Sequence, residues 1–371
     1  MEKMPKWADV ILVPLVCIVI AFVLSGALIA AIGQDPFEAL RVMIKGALWN
    51  PDSWDKTSRG WGYTLFYATN FMFTGLAVSI AFQASLFNIG GEGQATLGGL
   101  GVALSCLLIP WPHWSLALLG SMTAAVVFGA AWAIIPAWLQ AKRGSHIVIT
   151  TMMFNFISYA LMNYLLVNVL RPVGKMDPAS ARFNEVVNLP KLGEMLGAIG
   201  IPFSTKNPAN ISLLVALACA LGVWALMWHT RLGYGLRAFG KSEKAAIYAG
   251  INPTRITIYA LMLSGALSGL MAINSVQGEQ HKLILNAVEG AGFIGIAVAL
   301  MGRNHPFGIV LASLLFGFLY QGGGALALGT NIPRDLVTVV QALVILFTGA
   351  LPYMVQRPLE MLFAAGKTGA K

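Results

Sequence analysis

The chain has 371 residues, enough for about two or three soluble domains. About 65% of it is apolar when Gly is counted and Tyr is not, against about 45–50% in soluble domains. Charged residues make up 11%, less than half the usual share of about 25%. With a mean hydropathy of +0.73, these figures exclude a water-soluble fold, which would have to show large apolar patches to solvent. The net charge of +9 therefore reads as membrane orientation rather than nucleic-acid binding, because polytopic proteins concentrate Lys and Arg on the cytoplasmic face.

A spanning helix needs about 20 mostly apolar residues, and about ten segments qualify: 8–32, 63–84, 94–110, 114–140, 146–169, 209–229, 256–276, 289–301, 306–323 and 336–355. The predicted fold is all-α: one transmembrane domain over 1–371, with a helical bundle at 8–355 and a cytoplasmic tail at 356–371. The first segment follows a basic start, but its apolar run exceeds the roughly 7–15 residues of a signal-peptide core, so it reads as a retained helix. Segment 289–301 is short for a span and reads as a half-helix. Lys142 and Arg143 sit in the tight 141–145 link, and the 230–255 loop carries Arg231, Arg237, Lys241, Lys244 and Arg255 against Glu243 alone. Ten spans would place those loops, Arg303 and both termini on the cytoplasmic side, where the short loops have the higher basic density. Trp61, Trp111, Trp114, Trp138 and Trp228 fall near predicted helix ends, as an aromatic belt does. The long outside segments 33–62 and 170–208 are neither long nor apolar enough for a separate domain, and the second has room for a short amphipathic helix.

Phe87-Asn88-Ile89-Gly90-Gly91-Glu92-Gly93-Gln94 interrupts an apolar region with glycines, two amides and a carboxylate. Backbone that leaves helical geometry at membrane depth survives only against protein or a water-filled cavity, and transporters line substrate paths with such breaks. A plain cytoplasmic turn is the alternative, though a turn does not need Asn88, Glu92 and Gln94 together. In the 230–255 loop, glycines at 233, 235, 240 and 250 bracket residues 242–248 as hinges around a length for about two helical turns, with Ser242 as cap. A partner contact and a simple topology anchor are both open for this loop. Gly265/Gly269 and Ser264/Ser268 form small-xxx-small pairs that let helices approach closely in lipid. Gly322-Gly323-Gly324 reads as a break or a frayed end. Cys17, Cys106 and Cys219 have no metal or disulfide spacing and read as small core residues. The scattered histidines (113, 146, 229, 281, 305) predict no metal site. Gly366-Lys367-Thr368 fails as a phosphate loop because Met361 stands where that motif needs Gly. Asn210-Ile211-Ser212 matches a glycosylation sequon, too common a pattern to weigh. No catalytic grouping is visible.

Taken in order, the 87–94 block, residues 235–251, Leu263-Ser264-Gly265-Ala266-Leu267-Ser268-Gly269, and residues 292–302 with Pro306-Phe307-Gly308 resemble the permease subunits of ABC importers in the ribose, branched-chain amino acid and nucleoside branch. The likeness covers roughly residues 60–350. The 296–303 run and the long outside loops look most like the nucleoside or simple-sugar type. One departure is Ser242, where the family often has Asn.

The resemblance implies a passive gate in a bacterial inner membrane, multi-pass, with no cofactor in this chain and ATP bound on a separate ATPase subunit. It implies three protein partners besides the bilayer: that ATPase, a second permease (a shorter paralogue, or a second copy) and an extracytoplasmic solute-binding lipoprotein. The ATPase contact would fall on Gly240, Ser242, Glu243, Ala245, Ala246, Tyr248, Gly250 and Ile251. Asn88, Glu92, Gln94 and Glu289 would lie by the translocation pathway. Asn155, a lone amide in 146–169, either joins them or makes an interhelical hydrogen bond. A branched-chain amino acid permease is the nearest alternative. A stand-alone secondary transporter or channel, and a membrane enzyme, are the other classes.

Overall fold

The computed structural model describes residues 12–330 and, beyond them, positions 338, 339, 342, 343 and 346 alone. Within that range the protein is all-helical, with two isolated bridges, Ala179–Ile284 and Lys191–Asn210, in place of any strand. The helices are α1 (Val13–Ala31), α2 (Pro36–Ala47), α3 (Trp54–Gln83), α4 (Gly91–Leu108), α5 (Trp114–Arg143), α6 (Ile147–Leu165), α7 (Leu192–Ala198), α8 (Ser212–His229), α9 (Arg231–Lys241), α10 (Glu243–Tyr248), α11 (Pro253–Ala272), α12 (Ala291–Met301) and α13 (Pro306–Gly329). π-helical stretches extend α6 over Leu166–Leu170 and α11 over Ile273–Gln280.

Within the described residues helices thus occupy each predicted segment from 8–32 through 306–323, while 336–355, those five positions apart, and the tail at 356–371 lie outside them. Among the described residues six helices are long and apolar enough to cross a membrane, or seven if the bent pair α1–α2 counts as one. At 11 residues, α12 is about 16 Å long, half the roughly 30 Å apolar thickness of a bilayer.

Three sequence expectations need correction. Segment 33–62, expected as a long outside connection, is mostly helical: Asp35 caps α2 by accepting from Phe37 N, Pro36 sets its first turn, and α3 starts at Trp54 rather than 63. Gly322-Gly323-Gly324 does not break its helix, because α13 runs on to Gly329. Glycines 233, 235 and 240 are not hinges: all three lie inside α9, which Thr230 caps through Gly233 N at 3.1 Å. Only Gly250 among the four takes a left-handed φ, +82°.

The chain forms two compact units, 1–60 with 318–371 and 61–317, whose boundaries fall inside α3 and α13. In the first, Ala39, Met43 and Ala47 make the buried stripe of α2. Gly46 leaves no room for a side chain against Ala325, and its carbonyl accepts from Gln321 at 3.2 Å.

In the second unit α4 is the centre. Nearly all of its residues are buried, and it is packed through small side chains. A Cβ on Gly98 would collide with Gly269 of α11, and one on Gly129 of α5 with the Gly265 carbonyl. The small-residue steps at 265 and 269 therefore act as expected, bringing backbones into contact where lipid offers no hydrophobic drive between helices. The peripheral α5, α6 and α8 keep apolar outer faces, such as Ile149, Phe156, Leu221 and Trp224.

Replacing Gly269 with Leu overpacks this contact and is expected to cost about 1–3 kcal/mol, read as a lower apparent melting temperature in detergent. Gly222→Leu is the control, since Gly222 on α8 has nothing within 4 Å of its missing Cβ; equal melting of the two variants would refute the packing account.

Candidate functional site

The first turn of a helix carries backbone N–H groups with no partner of their own. α4 begins inside the protein at Gly90-Gly91, where water is not at hand, and α6 supplies the missing partners. Asn155 accepts from Gly93 N at 2.9 Å and donates to the Ile89 carbonyl at 3.0 Å. Thr151, one helical turn away, accepts from Ile89 N at 3.3 Å. The glycines let the backbones come this close, for a Cβ on Gly93 would meet Asn155 and Ser158.

Asn88 closes the turn from within. Its Oδ1 accepts from Gly90 N at 2.9 Å, and its Nδ2 donates to Gln94 Oε1 at 3.0 Å and to Ser264 Oγ of α11 at 2.9 Å. Asn88, Gln94 and Asn155 are each at most 2% exposed.

Glu92 does for α12 what Asn155 does for α4. Its Oε1 accepts from Gly290 N at 2.9 Å and from the Tyr159 hydroxyl at 3.0 Å, while Oε2 accepts from Gly292 N at 2.8 Å. No cation takes part: the acid is held by backbone N–H groups at the positive end of a helix, the usual seat for an anion. A Cβ on Gly292 would collide with Glu92 itself, so glycine is required there.

Four of the five predicted pathway residues thus form one cluster. Glu289 stands apart, with an exposed side chain within electrostatic reach of Glu279.

Sequence reading missed Thr151 and Tyr159. Thr151, Asn155 and Tyr159 recur every four residues on α6, a polar stripe opposite the exposed Met153, Phe156 and Ile157, and that spacing was the available signal. It also missed a second buried knot. Asn274, in the π-helical end of α11, donates to Asn70 Oδ1 at 2.7 Å and to the Phe66 carbonyl at 2.9 Å, and accepts from Asn210 at 2.9 Å and Ser212 at 2.7 Å. The sequon match at 210–212 is therefore sealed inside the protein, since Asn210 is 1% exposed.

The predicted partner segment has a different character. α10 occupies 243–248, and Ser242 caps it by accepting from Ala245 N at 3.4 Å. Ser242, Glu243, Ala245 and Gly250 are exposed, Ile251 is half-buried and Ala246 is buried; Tyr248 reaches outward with 97% of its surface free. Gly240 is different again, seated on the end of α3 where any side chain would strike the Gln83 carbonyl. A polar cleft of about 430 Å³, lined by Ser85, Gln140, Lys241, Ser242, Glu243 and Thr254, separates this segment from α5 and α11. The basic 141–145 and 230–255 loops and the turn after α3 thus meet at one end of the unit.

A family model described as branched-chain amino acid transport system, permease component, matches residues 61–349. A glucose ABC transporter permease of Haloferax volcanii is 35% identical over 337 residues, covering 90% of this chain and 86% of its own. A guanosine ABC transporter permease of Bacillus subtilis is 30% identical over 354 residues, covering 94% and 95%. A nucleoside ABC transporter permease of Lactococcus lactis is 29% identical over 339 residues, covering 91% and 90%.

Glu92→Ala leaves the buried Gly292 donor and the half-buried Gly290 donor unpaired, at about 1–3 kcal/mol for the buried one and less for the other. The expected result is a lower melting temperature together with faster amide exchange at 290–293. Tyr159→Phe, which removes one donor, is expected to do less, about 0.5–1.5 kcal/mol. Unchanged exchange in Glu92→Ala would refute the capping role.

Proposed function

The chain belongs to the branched-chain amino acid transport permease family, and from that membership we propose that it translocates a nucleoside or a simple sugar rather than an amino acid. It is the membrane-spanning permease subunit of an ABC importer. The activities of its relatives, guanosine, nucleoside and glucose transport, support a neutral solute rich in hydroxyls and ring nitrogens. So does the chemistry available: the buried cluster offers amides, hydroxyls and one acid, with no Lys or Arg to hold a phosphate. On α11, Ser268 Oγ, Ser275 Oγ and Gln277 Oε1 are buried without a protein partner among the described residues, and such groups suit a polar uncharged guest.

In this reading the chain has no ATPase site and no cofactor of its own. Its bundle crosses the bacterial inner membrane with about ten segments and both termini in the cytoplasm, the arrangement favoured by basic-loop density. It pairs with a second, shorter permease and receives solute from an extracytoplasmic lipoprotein. The observation that carries the mechanism is α10: a capped two-turn helix at the basic end, presenting Ile247 and Tyr248 outward. ATPase closure would pull on this segment. ATP can shift the inward–outward equilibrium only through its different affinity for the two states, so the segment must be coupled to the gate. Asn88, Glu92, Gln94 and Asn155 hold the gate closed in the described arrangement and border the path when it opens.

Cells lacking this chain are expected to lose uptake of labelled guanosine or glucose and to regain it on complementation. Recovery of leucine uptake alone would show the amino-acid reading to be right. Ala245→Trp and Tyr248→Ala, both on exposed positions, are expected to abolish co-purification of the ATPase at normal membrane yield. Gly240→Trp is unsuited to that purpose, because it would wreck the contact with α3. Retention of the ATPase by both exposed variants would count against the docking assignment.

A further inference from the structure

We propose that the turn at residues 84–90 is the mechanical relay between the ATPase-facing segment and the buried gate, with Ser85 as its positioning residue; this rests on the assignment of α10 as the docking helix. Ser85 closes the C-terminus of α3 with a left-handed φ of +55°, and Leu86 N reaches back to the Ala81 carbonyl at 2.9 Å. Glycine is the residue best suited to that backbone. Serine supplies instead a hydroxyl, which donates to the Gly240 carbonyl at 2.6 Å.

Gly240 lies two residues before the Ser242 cap of α10, and it is packed on the Gln83 carbonyl with no space for a Cβ. The coupling segment is therefore held to the end of α3 by a hydrogen bond and a backbone contact. The open polar cleft is bordered by this same contact, with Ser85 and Gly240 in its lining, and the covalent route into α11 runs through left-handed Gly250.

From this turn, contacts run to both ends of the half-helix α12. Gln83 Nε2 donates to the Asn304 carbonyl, in the turn after α12, at 3.1 Å. Asn88 and Glu92 follow within a few residues, and Glu92 holds the start of α12 through Gly290 and Gly292. A pull on Gly240 thus loads this turn directly, alongside the packing of α9 on α11 at Gly235 and Ile256.

The test uses the complete transporter, with its ATPase and receptor, in liposomes, and labelled guanosine or glucose, whichever the wild-type complex accumulates. Ser85→Gly keeps the backbone and deletes the hydroxyl. Ser85→Asn restores a donor on a residue that tolerates left-handed geometry. For Ser85→Gly the expected result is normal ATPase co-purification, normal ATP hydrolysis and unchanged half-saturation by solute, with solute moved per ATP reduced about tenfold. Ser85→Asn should recover most of that ratio.

A wild-type ratio in Ser85→Gly overturns the relay. So does loss of the ATPase from that variant, or a lowered melting temperature without recovery in Ser85→Asn, since Ser85 would then serve docking or stability alone. Failure of the docking assignment itself is read separately, in the Ala245→Trp and Tyr248→Ala complexes.

Discussion

A helix that starts inside an apolar bundle brings its unpaired amides with it, and much of the arrangement of the second unit follows from that burden. At a protein surface, water or a local Ser or Asp would satisfy these groups. Here the caps come from other helices: Asn155 and Thr151 of α6 serve α4, and Glu92 of α4 serves α12. Capping in trans has a geometric consequence that local capping lacks. It fixes the start of one helix relative to the side of another, so α6, α4 and α12 are registered in sequence by polar contacts of about 3 Å.

Such contacts demand backbones closer than ordinary side chains allow. Gly93 lets α6 approach α4, Gly292 lets α4 approach α12, and Gly98, Gly129, Gly265 and Gly269 bring α4, α5 and α11 together. Glycine is a poor helix former in water, but in a bilayer the alternative to a helix is an unsatisfied backbone. The abundance of small residues in α4 is therefore a packing requirement, and it also explains why α4 has almost no surface left for lipid.

Much of this organisation is legible in the sequence. The apolar runs place the helices, the 87–94 interruption marks the site, and Ser242 announces α10. What escaped has a common physical origin. Asn70, Asn210 and Asn274 lie 140 and 64 residues apart in order along the chain, and nothing in local periodicity says that three separate amides will meet. Hydrophobicity also misled at Trp54 and at Gly322-Gly323-Gly324, because buried glycine and polar residues can continue a helix when a neighbour packs against them. The 36–47 helix was hidden for a related reason: its charges suit a loop, yet Ala39, Met43 and Ala47 give it an inner face.

The two polar knots differ in their response to acid. One contains Glu92 and Tyr159; the other, around Asn274, is built from amides, a serine and backbone. A proton added to the first turns an acceptor oxygen into a donor that confronts backbone N–H groups, whereas the second has nothing to titrate. The junction of α4 with α12 therefore rests on an ionisable acid and the junction of α3, α8 and α11 on neutral groups alone, so that one bundle is closed by two chemically different seams.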